Sequence, residues 1–312
     1  MDLTMERMRR KNKIFSVRRL KMDYPLYLML LLPVVIMFIY HYIPMFGVLI
    51  AFKKYLPAKG FIESKWIGLD NFSVLFTMPG FFRALRNTLT ISIWKIIMGI
   101  IIPVSFTILL NEISKQSVKK GVQTLIYLPH FISWVLLAGI FMKLLGGSGI
   151  VNKGLELLGI SPIIFLGDPN WFRFTVILTH IWKEFGYGTI VYLAAVSTVD
   201  PNLYEAATID GAGHWKQMIH VTLPTIVPII MLMTVLSVGN ILNAGFDQIF
   251  NMYNTTVYET GDIIDTLVYR MAFDSGNFGL STAAGLFKSG IGAVLVIASH
   301  EIAYKTSGYR VF

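Results

Sequence analysis

Cysteine is absent from all 312 residues, which excludes a disulfide framework, a thiolate nucleophile and any cysteine-based zinc or iron–sulfur centre. Charge is also scarce: Asp, Glu, Lys and Arg make up 14% of the chain against 54% hydrophobic residues, and the mean hydropathy is +0.62. That balance is too apolar for a soluble domain of this length and points to a polytopic membrane protein. No GxxxxGK(S/T) phosphate loop occurs, and the glycines of Gly146-Gly147-Ser148-Gly149 lack the following lysine and read as a turn. Nothing resembles HExxH, a serine–histidine pairing or an acidic metal cluster inside the apolar runs, so neither a catalytic residue nor a metal ligand is assigned. His41 and His130, beside Pro44 and Pro129, read as structural.

Basic residues are present in excess, with a formal net charge of +9. They gather in Met1 to Lys21, as Arg7, Arg9, Arg10, Lys11, Lys13, Arg18, Arg19 and Lys21, directly before a long apolar run. Anionic lipid headgroups attract such a cluster and its translocation is disfavoured, so it predicts a cytoplasmic N-terminus. Nucleic acid is not an expected partner, because the aromatic residues lie in apolar runs rather than among basic ones. The run also exceeds the apolar core of a signal peptide and has no small-residue cleavage site, so it is expected to stay as an anchor.

A helix crossing the hydrocarbon core needs about 20 mostly apolar residues. Six segments meet this: Leu26 to Ile50, Asn87 to Leu110, Thr124 to Leu145, Phe172 to Val196, Pro224 to Phe250 and Ala283 to Tyr304. The fold class is therefore an all-α integral membrane protein with six transmembrane helices and both termini cytoplasmic. With that orientation the inside segments carry 8, 3, 1 and 2 Lys and Arg, and the outside segments 6, 1 and 1. The excess inside supports it. The expected organisation is a basic tail over 1–23, a first span over 24–52, an external loop over 53–86, a core over 87–304 and a tail over 305–312. Outside, Ile150, Val151, Gly154, Leu155 and Leu158 share one helical face, and Gly167-Asp168-Pro169-Asn170 reads as a turn into the fourth span.

Between the fourth and fifth spans the polar stretch 200–224 has its own helical signals. Asp200 can cap free N–H groups, and Pro201 suits a first helical turn. Leu203 to Asp210 then reads as one short helix, with Ala206 and Ala207 leaving room for another backbone. Gly211 and Gly213 permit a sharp turn. A second helix over His214 to Thr222 is expected to put Trp215, Met218, Ile219 and Thr222 on one stripe, and Pro224 to start the fifth span.

Glu205-Ala206-Ala207, Gly211 four residues later, and Val221-Thr222-Leu223-Pro224 resemble the EAA loop of permease subunits in binding-protein-dependent ABC importers. Val221 stands where that pattern usually has isoleucine. The resemblance covers Phe82 to Tyr304 as a type I, MetI-like permease core, and the extra first span resembles the MalF/UgpA-like sugar branch. Tyr40-His41-Tyr42-Ile43-Pro44-Met45-Phe46-Gly47 with Ala51-Phe52-Lys53 looks more narrowly like LplB-type oligosaccharide and polysaccharide permeases.

The resemblance implies a non-catalytic subunit of the cell membrane that imports a carbohydrate, with an oligosaccharide expected. The implied partners are a second homologous permease, a pair of ATPase subunits, and an extracytoplasmic substrate-binding lipoprotein. No cofactor is expected on this chain; ATP and Mg would sit on the ATPases. The hairpin would enter a cleft on an ATPase, with Glu205 as ionic contact and Ala206 and Ala207 as the close-packing face. Asp210 and Gly211 would form the turn, and Trp215, Met218, Ile219, Leu223 and Pro224 the apolar seat.

Charges at membrane depth cost about 2.5 to 3.5 kcal/mol on insertion scales and so call for a partner or an aqueous cavity. Span four holds Lys183-Glu184 beside Trp182 and Tyr187, with His180 one turn earlier. Span five holds Asn240, Asn243 and Asp247 at i, i+3 and i+7, a single polar stripe. These residues could face a sugar or serve as hydrogen-bonding and ion-pairing glue between helices, with Lys183 meeting Asp247 or Glu184. Lys95 and Lys288 read as snorkelling. The same charges would suit an ion-coupled secondary transporter, but such folds usually show inverted repeats and broken helices, which the sequence does not reveal. A permease of the same ABC class for a non-sugar solute is the other alternative.

Overall fold

The computed structural model describes residues 23–307; residues 1–22 and 308–312, which hold most of the two expected tails, lie outside the described residues. Two compact units are present, Met1–Ile50 and Ala51–Phe312. The first unit supplies most of the helical run α1, Tyr24–Phe52. Pro25 occupies its first turn, and a π-turn at Phe38–Tyr42 comes just before Pro44. A proline ring clashes with the carbonyl four residues back, and a widened turn relieves that clash without ending the helix.

The second unit opens with a two-residue antiparallel ribbon, β1 Lys53–Lys54 and β2 Lys65–Trp66, with Lys53 opposite Trp66. Helices follow: α2 Asp70–Thr77, α3 Pro79–Asn111, α4 Gln116–Tyr127, α5 Trp134–Leu144, α6 Ile150–Leu157 and α7 Pro169–Val196. Next come α8 Pro201–Ile209, α9 His214–Gly239, α10 Phe246–Met252, α11 Tyr258–Gly261, α12 Ile264–Tyr269 and α13 Phe278–Ser307. Among the described residues, α1, α3, α9 and α13 are long and apolar enough to cross a membrane, and the α4–α5 pair would be a fifth span if its two parts are one. The 28-residue α7 is about 42 Å long at 1.5 Å per residue, but His180, Lys183 and Glu184 lower its hydropathy.

Two expected spans are not straight helices. The third turns by 101° between residues 116–131 and 134–144. Pro129 sits in a 3-10 turn at Leu128–Phe131, Ile132 is extended, and the Ser133 hydroxyl caps α5 by accepting from the Leu136 N–H at 3.4 Å. The fifth ends at Gly239, and the chain resumes as α10 only at Phe246. The single stripe Asn240, Asn243, Asp247 is therefore corrected: Asn240 ends one helix, Asn243 lies in the break, and Asp247 starts the next helix. Gly245 at the break has φ +92°, a conformation that other residues adopt only with strain. The expectation of unbroken helices is corrected with it.

Pro224 does not start a new helix either. α9 runs unbroken from His214 through Pro224 because the π-turn Met218–Thr222 absorbs the ring, as at Pro44.

α3 and α7 pack along each other and form the centre of the second unit. One cluster joins Ile91, Phe172, Val176, Ala244, Ile249 and Ile263; another, further along both helices, joins Val104, Tyr192, Val196 and Ile226. A third sets α2 and the start of α3 against α12 and α13 through Leu75, Phe81, Leu267 and Leu280. Where α4 crosses α7, a Cβ on Gly186 would lie 2.0 Å from the Ile126 carbonyl oxygen, so only glycine permits the approach. α6 forms as expected, but the residue buried beneath it is Asn152, which bonds the Gly146 and Ile163 carbonyls and the Ile163 N–H.

Candidate functional site

The stretch 200–224 folds as a braced hairpin. Asp200 Oδ1 accepts from the Asn202 N–H at 3.0 Å and Pro201 takes the first turn, so α8 starts as the sequence requires. Gly211 turns the chain at φ +78°, whereas Gly213 is ordinary extended backbone. Three side-chain bonds tie the arms: Tyr204 Oη to Thr222 Oγ1 at 2.8 Å, and Gln217 Nε2 donating to Thr208 Oγ1 at 2.9 Å and to the Ala212 carbonyl at 3.0 Å. His214 Nδ1 lies 3.1 Å from Glu112 Oε2 at the end of α3.

The outward face of the hairpin carries Glu205, Ala206, Asp210 and Gly211, together with Trp215 at 69% exposure and Ile219 at 54%. Ala207 is half-buried, and Pro224 is exposed further along α9. Two members of the expected apolar seat face the other way. Met218 is buried and Leu223 packs with the Val104–Tyr192 cluster. The π-turn rotates Met218 and Thr222 inward while Trp215 and Ile219 stay outside, which splits the expected stripe. Ile209, 86% exposed beside the turn, adds an apolar side chain to this surface that the sequence pattern did not single out; its place at the tip of the turn was the available signal.

At the other end of α9 a cavity of about 510 Å³ opens among α3, α7 and the break. Lys95, Gly99 and Pro103 border it from α3; His180, Glu184 and Tyr187 from α7; Ser237, Asn240, Asn243 and Gly245 from α9 and the break. A second cavity of about 420 Å³, lined by Phe246, Asp265, Tyr269, Phe273 and Lys288, shares Asn243 with it. Glu184, Tyr187, Asn240 and Asn243 thus meet at one space. Trp182, Lys183 and Asp247 do not border it.

Lys183 serves a different purpose. Its Nζ donates to the His130 carbonyl at 2.7 Å and to Glu184 Oε1 at 3.0 Å, while Glu184 Oε2 meets His130 Nδ1 at 2.7 Å. The His130 ring stacks on Tyr187 at 3.9 Å. This network fastens the α4–α5 bend to α7. Of the two pairings expected for Lys183, the one with Glu184 forms. Lys95, expected to snorkel, is instead buried and donates to the Ala244 carbonyl at 2.7 Å and to Gln248 Oε1 at 2.6 Å. Gln248 in turn donates to the Val176 carbonyl and Thr179 Oγ1. Lys288, also expected to snorkel, pairs with Asp265.

Beyond the break, Arg270 grips Asp262 with two bonds of 2.7 and 2.6 Å. Burial opposes the guanidinium charge, but the bonds to Asp262 and Tyr253 outweigh it and hold the pKa above the ordinary arginine value. Arg173 bonds Asn87 Oδ1 and the Thr260 carbonyl, joining α3 and α7 to the same layer. Among the described residues no group of three or more His, Asp or Glu could hold a metal ion.

Comparison with known proteins gives this arrangement its context. Residues 95–299 match the family described as binding-protein-dependent transport system inner membrane component. Protein LplB of Bacillus subtilis (strain 168) is 44% identical over 287 residues, 92% of this chain and 90% of that one. The polygalacturonan/rhamnogalacturonan transport system permease protein YteP of the same organism is 41% identical over 296 residues, 95% and 92% of the two chains. A solved bacterial ABC transporter involved in the import of the acidic polysaccharide alginate contains a chain that superposes with a TM-score of 0.86 at 39% identity, covering 93% of this chain and 98% of that one. A bacterial alginate ABC transporter in complex with an alginate pentasaccharide-bound periplasmic protein gives 0.86 at 38%, covering 94% and 99%. The chain belongs to the family of binding-protein-dependent transport system inner membrane components: it is a membrane permease subunit of an ABC importer rather than an enzyme, with ATP hydrolysis on a separate subunit.

Proposed function

We propose that this chain is half of a carbohydrate translocation pathway, paired with a second homologous permease, driven by two ATPase subunits and loaded by an external binding protein. The observation that carries this reading is the 26-residue helix α9. It is the second arm of the hairpin at one end and a wall of the polar cavity at the other, about 39 Å apart at 1.5 Å per residue. Motion of the hairpin is thereby delivered to the cavity by one rod. Six spans are counted when α7 and the bent pair are included, with both termini cytoplasmic as the basic excess favours. Residues 1–23, 24–52, 53–86, 87–304 and 305–312 keep their assignments as tail, first span, loop, core and tail.

Glu205, Ala206, Ala207, Asp210 and Gly211 form the surface that enters the ATPase cleft, with Trp215, Ile219 and Ile209 as apolar contacts. Met218, Leu223 and Pro224 support the hairpin from behind. In the cavity, Asn240, Asn243, Glu184 and Tyr187 offer the amides, carboxylate and aromatic face that suit sugar hydroxyls and rings. Trp182, Lys183 and Asp247 act through the walls. The names of YteP and of the alginate transporters support a complex carbohydrate as cargo. No cofactor is assigned to this chain; ATP and Mg belong to the ATPases. Of the charges that would suit an ion-coupled carrier, Lys183 and Glu184 are tied up with each other and with His130.

The test uses purified complexes in proteoliposomes. Glu205→Lys or Gly211→Asp leaves assembly intact but separates ATP hydrolysis from uptake. Wild-type stimulation of the ATPase by loaded binding protein in either variant would falsify the docking assignment.

A further inference from the structure

Two polar groups on one face of α3 border the cavity without a matching anion. Ser92 and Lys95 are three residues apart, so they stack on the helix surface. They are 3% and 7% exposed, and both line the cavity. Ser92 Oγ makes no hydrogen bond. Lys95 Nζ donates to two neutral oxygens, Ala244 O and Gln248 Oε1, and an ammonium carries three donors. Lys183 is in a different situation: Glu184 meets it, and both oxygens of Glu184 are engaged, one by Lys183 and one by His130. This side of the pathway therefore holds two lysines and one carboxylate, and that carboxylate is occupied. Glu184 borders the same cavity but makes no hydrogen bond to Lys95; an ammonium at membrane depth without a carboxylate in contact is costly, and an anion arriving in the cavity would relieve it.

We propose that Ser92 and Lys95 form a seat for the carboxylate of a passing sugar, so that the cargo is an anionic, uronate-containing oligosaccharide. One carboxylate oxygen accepts the third N–H of Lys95 and the other accepts the Ser92 O–H. The bonds from Lys95 to the break hold its ammonium in place beforehand, so little side-chain freedom is lost when the anion arrives. Neutral residues of the same chain pass against Asn240, Asn243 and Tyr187. This deepens the carbohydrate reading of the cavity and rests on it.

The test compares trigalacturonate with its fully methyl-esterified form, which has the same rings without the charges. Binding of each to the whole transporter in nanodiscs is measured by calorimetry, without binding protein. The wild type prefers the acid by about tenfold or more, the scale of one charge-assisted hydrogen bond. Lys95→Gln brings the acid-to-ester ratio close to one, Lys95→Arg keeps it well above one, and Ser92→Ala lowers it by about two- to fivefold, the lower part of the range for one ordinary hydrogen bond. A wild-type ratio near one overturns the seat and leaves the carbohydrate reading standing. A ratio that survives Lys95→Gln, including a case where both affinities fall together, makes Lys95 a purely structural tether and also overturns it. Binding of neither ligand overturns the carbohydrate reading itself. Should Lys95→Gln fail to assemble, the Ser92→Ala ratio decides: no change from wild type sinks the proposal.

Discussion

The two ends of α9 are built in opposite ways. At the hairpin end the bonds are mostly local: Asp200 caps Asn202, Gln217 reaches Ala212, and Tyr204 meets Thr222 within a stretch of about two dozen residues, with His214 to Glu112 as the long-range contact. At the cavity end the bonds join residues far apart in sequence. Lys95 on α3 holds the Ala244 carbonyl in the break and Gln248 on α10, and Gln248 reaches Val176 and Thr179 on α7. A locally braced hairpin can move as a unit when a partner pulls it, because its two arms are tied to each other by their own side chains. A cavity whose walls are joined across three helices must rearrange when those helices move. The difference fits a lever at one end and a gated space at the other.

The contrast can be broken at several points. The largest effect is expected from the hairpin surface: Glu205→Lys or Gly211→Asp lowers coupled uptake on the order of 5- to 150-fold, the range of a typical intersite coupling, with thermal stability of the complex unchanged in Glu205→Lys and lowered by about 1 kcal/mol in Gly211→Asp, where φ is +78°. A large loss of stability instead would mean that the hairpin is part of the core. Next comes Gly186→Val, which drives a side chain into the Ile126 carbonyl and destabilises the complex by about 3 kcal/mol, the upper end for overpacking; thermal unfolding in detergent reads it. Gly245→Ala forces a non-glycine residue to φ +92° and costs about 1–2 kcal/mol, with uptake lost along with the shape of the break.

Asn240→Ala combined with Asn243→Ala slows uptake while the complex still assembles, and Asp247→Ala, which lies off the cavity, has little effect on uptake. Equal losses in the two cases would restore the single polar stripe that the break has replaced. The smallest change is Thr222→Val, which removes the Tyr204 bond and loosens the hairpin by about 0.5–1.5 kcal/mol. Faster hydrogen exchange confined to residues 201–222 is its expected signature.

Legibility in the sequence followed the same division. The turn at Gly167–Asn170, the cap at Asp200, the turn at Gly211 and the apolar runs of α1, α3 and α13 were readable because each depends on neighbours a few residues away. The inward rotation of Met218 was not, since it needs the π-turn that Pro224 imposes one turn downstream. The break after Gly239 was hidden for another reason. Residues 240–245 include Ile241, Leu242 and Ala244, apolar enough to continue a helix. Among these signals only Gly245 hinted at an interruption, and a glycine inside an apolar span is tolerated often enough to carry little weight. The burial of Lys95 was illegible too, because its acceptors lie some 150 positions away.

The sequence by itself determined that the chain lives in a membrane, carries a capped polar hairpin between two apolar runs and performs no cysteine or phosphate-loop chemistry. Those properties follow from composition and from short-range backbone chemistry. Only the tertiary structure decided that the fifth span is broken, that Lys183 pairs with a carboxylate while Lys95 bonds two neutral oxygens, and that Asn240 and Asn243 share a cavity with Ser92. Each of these depends on which helices touch, and contact between distant segments is set by packing of whole faces rather than by any residue's own neighbours.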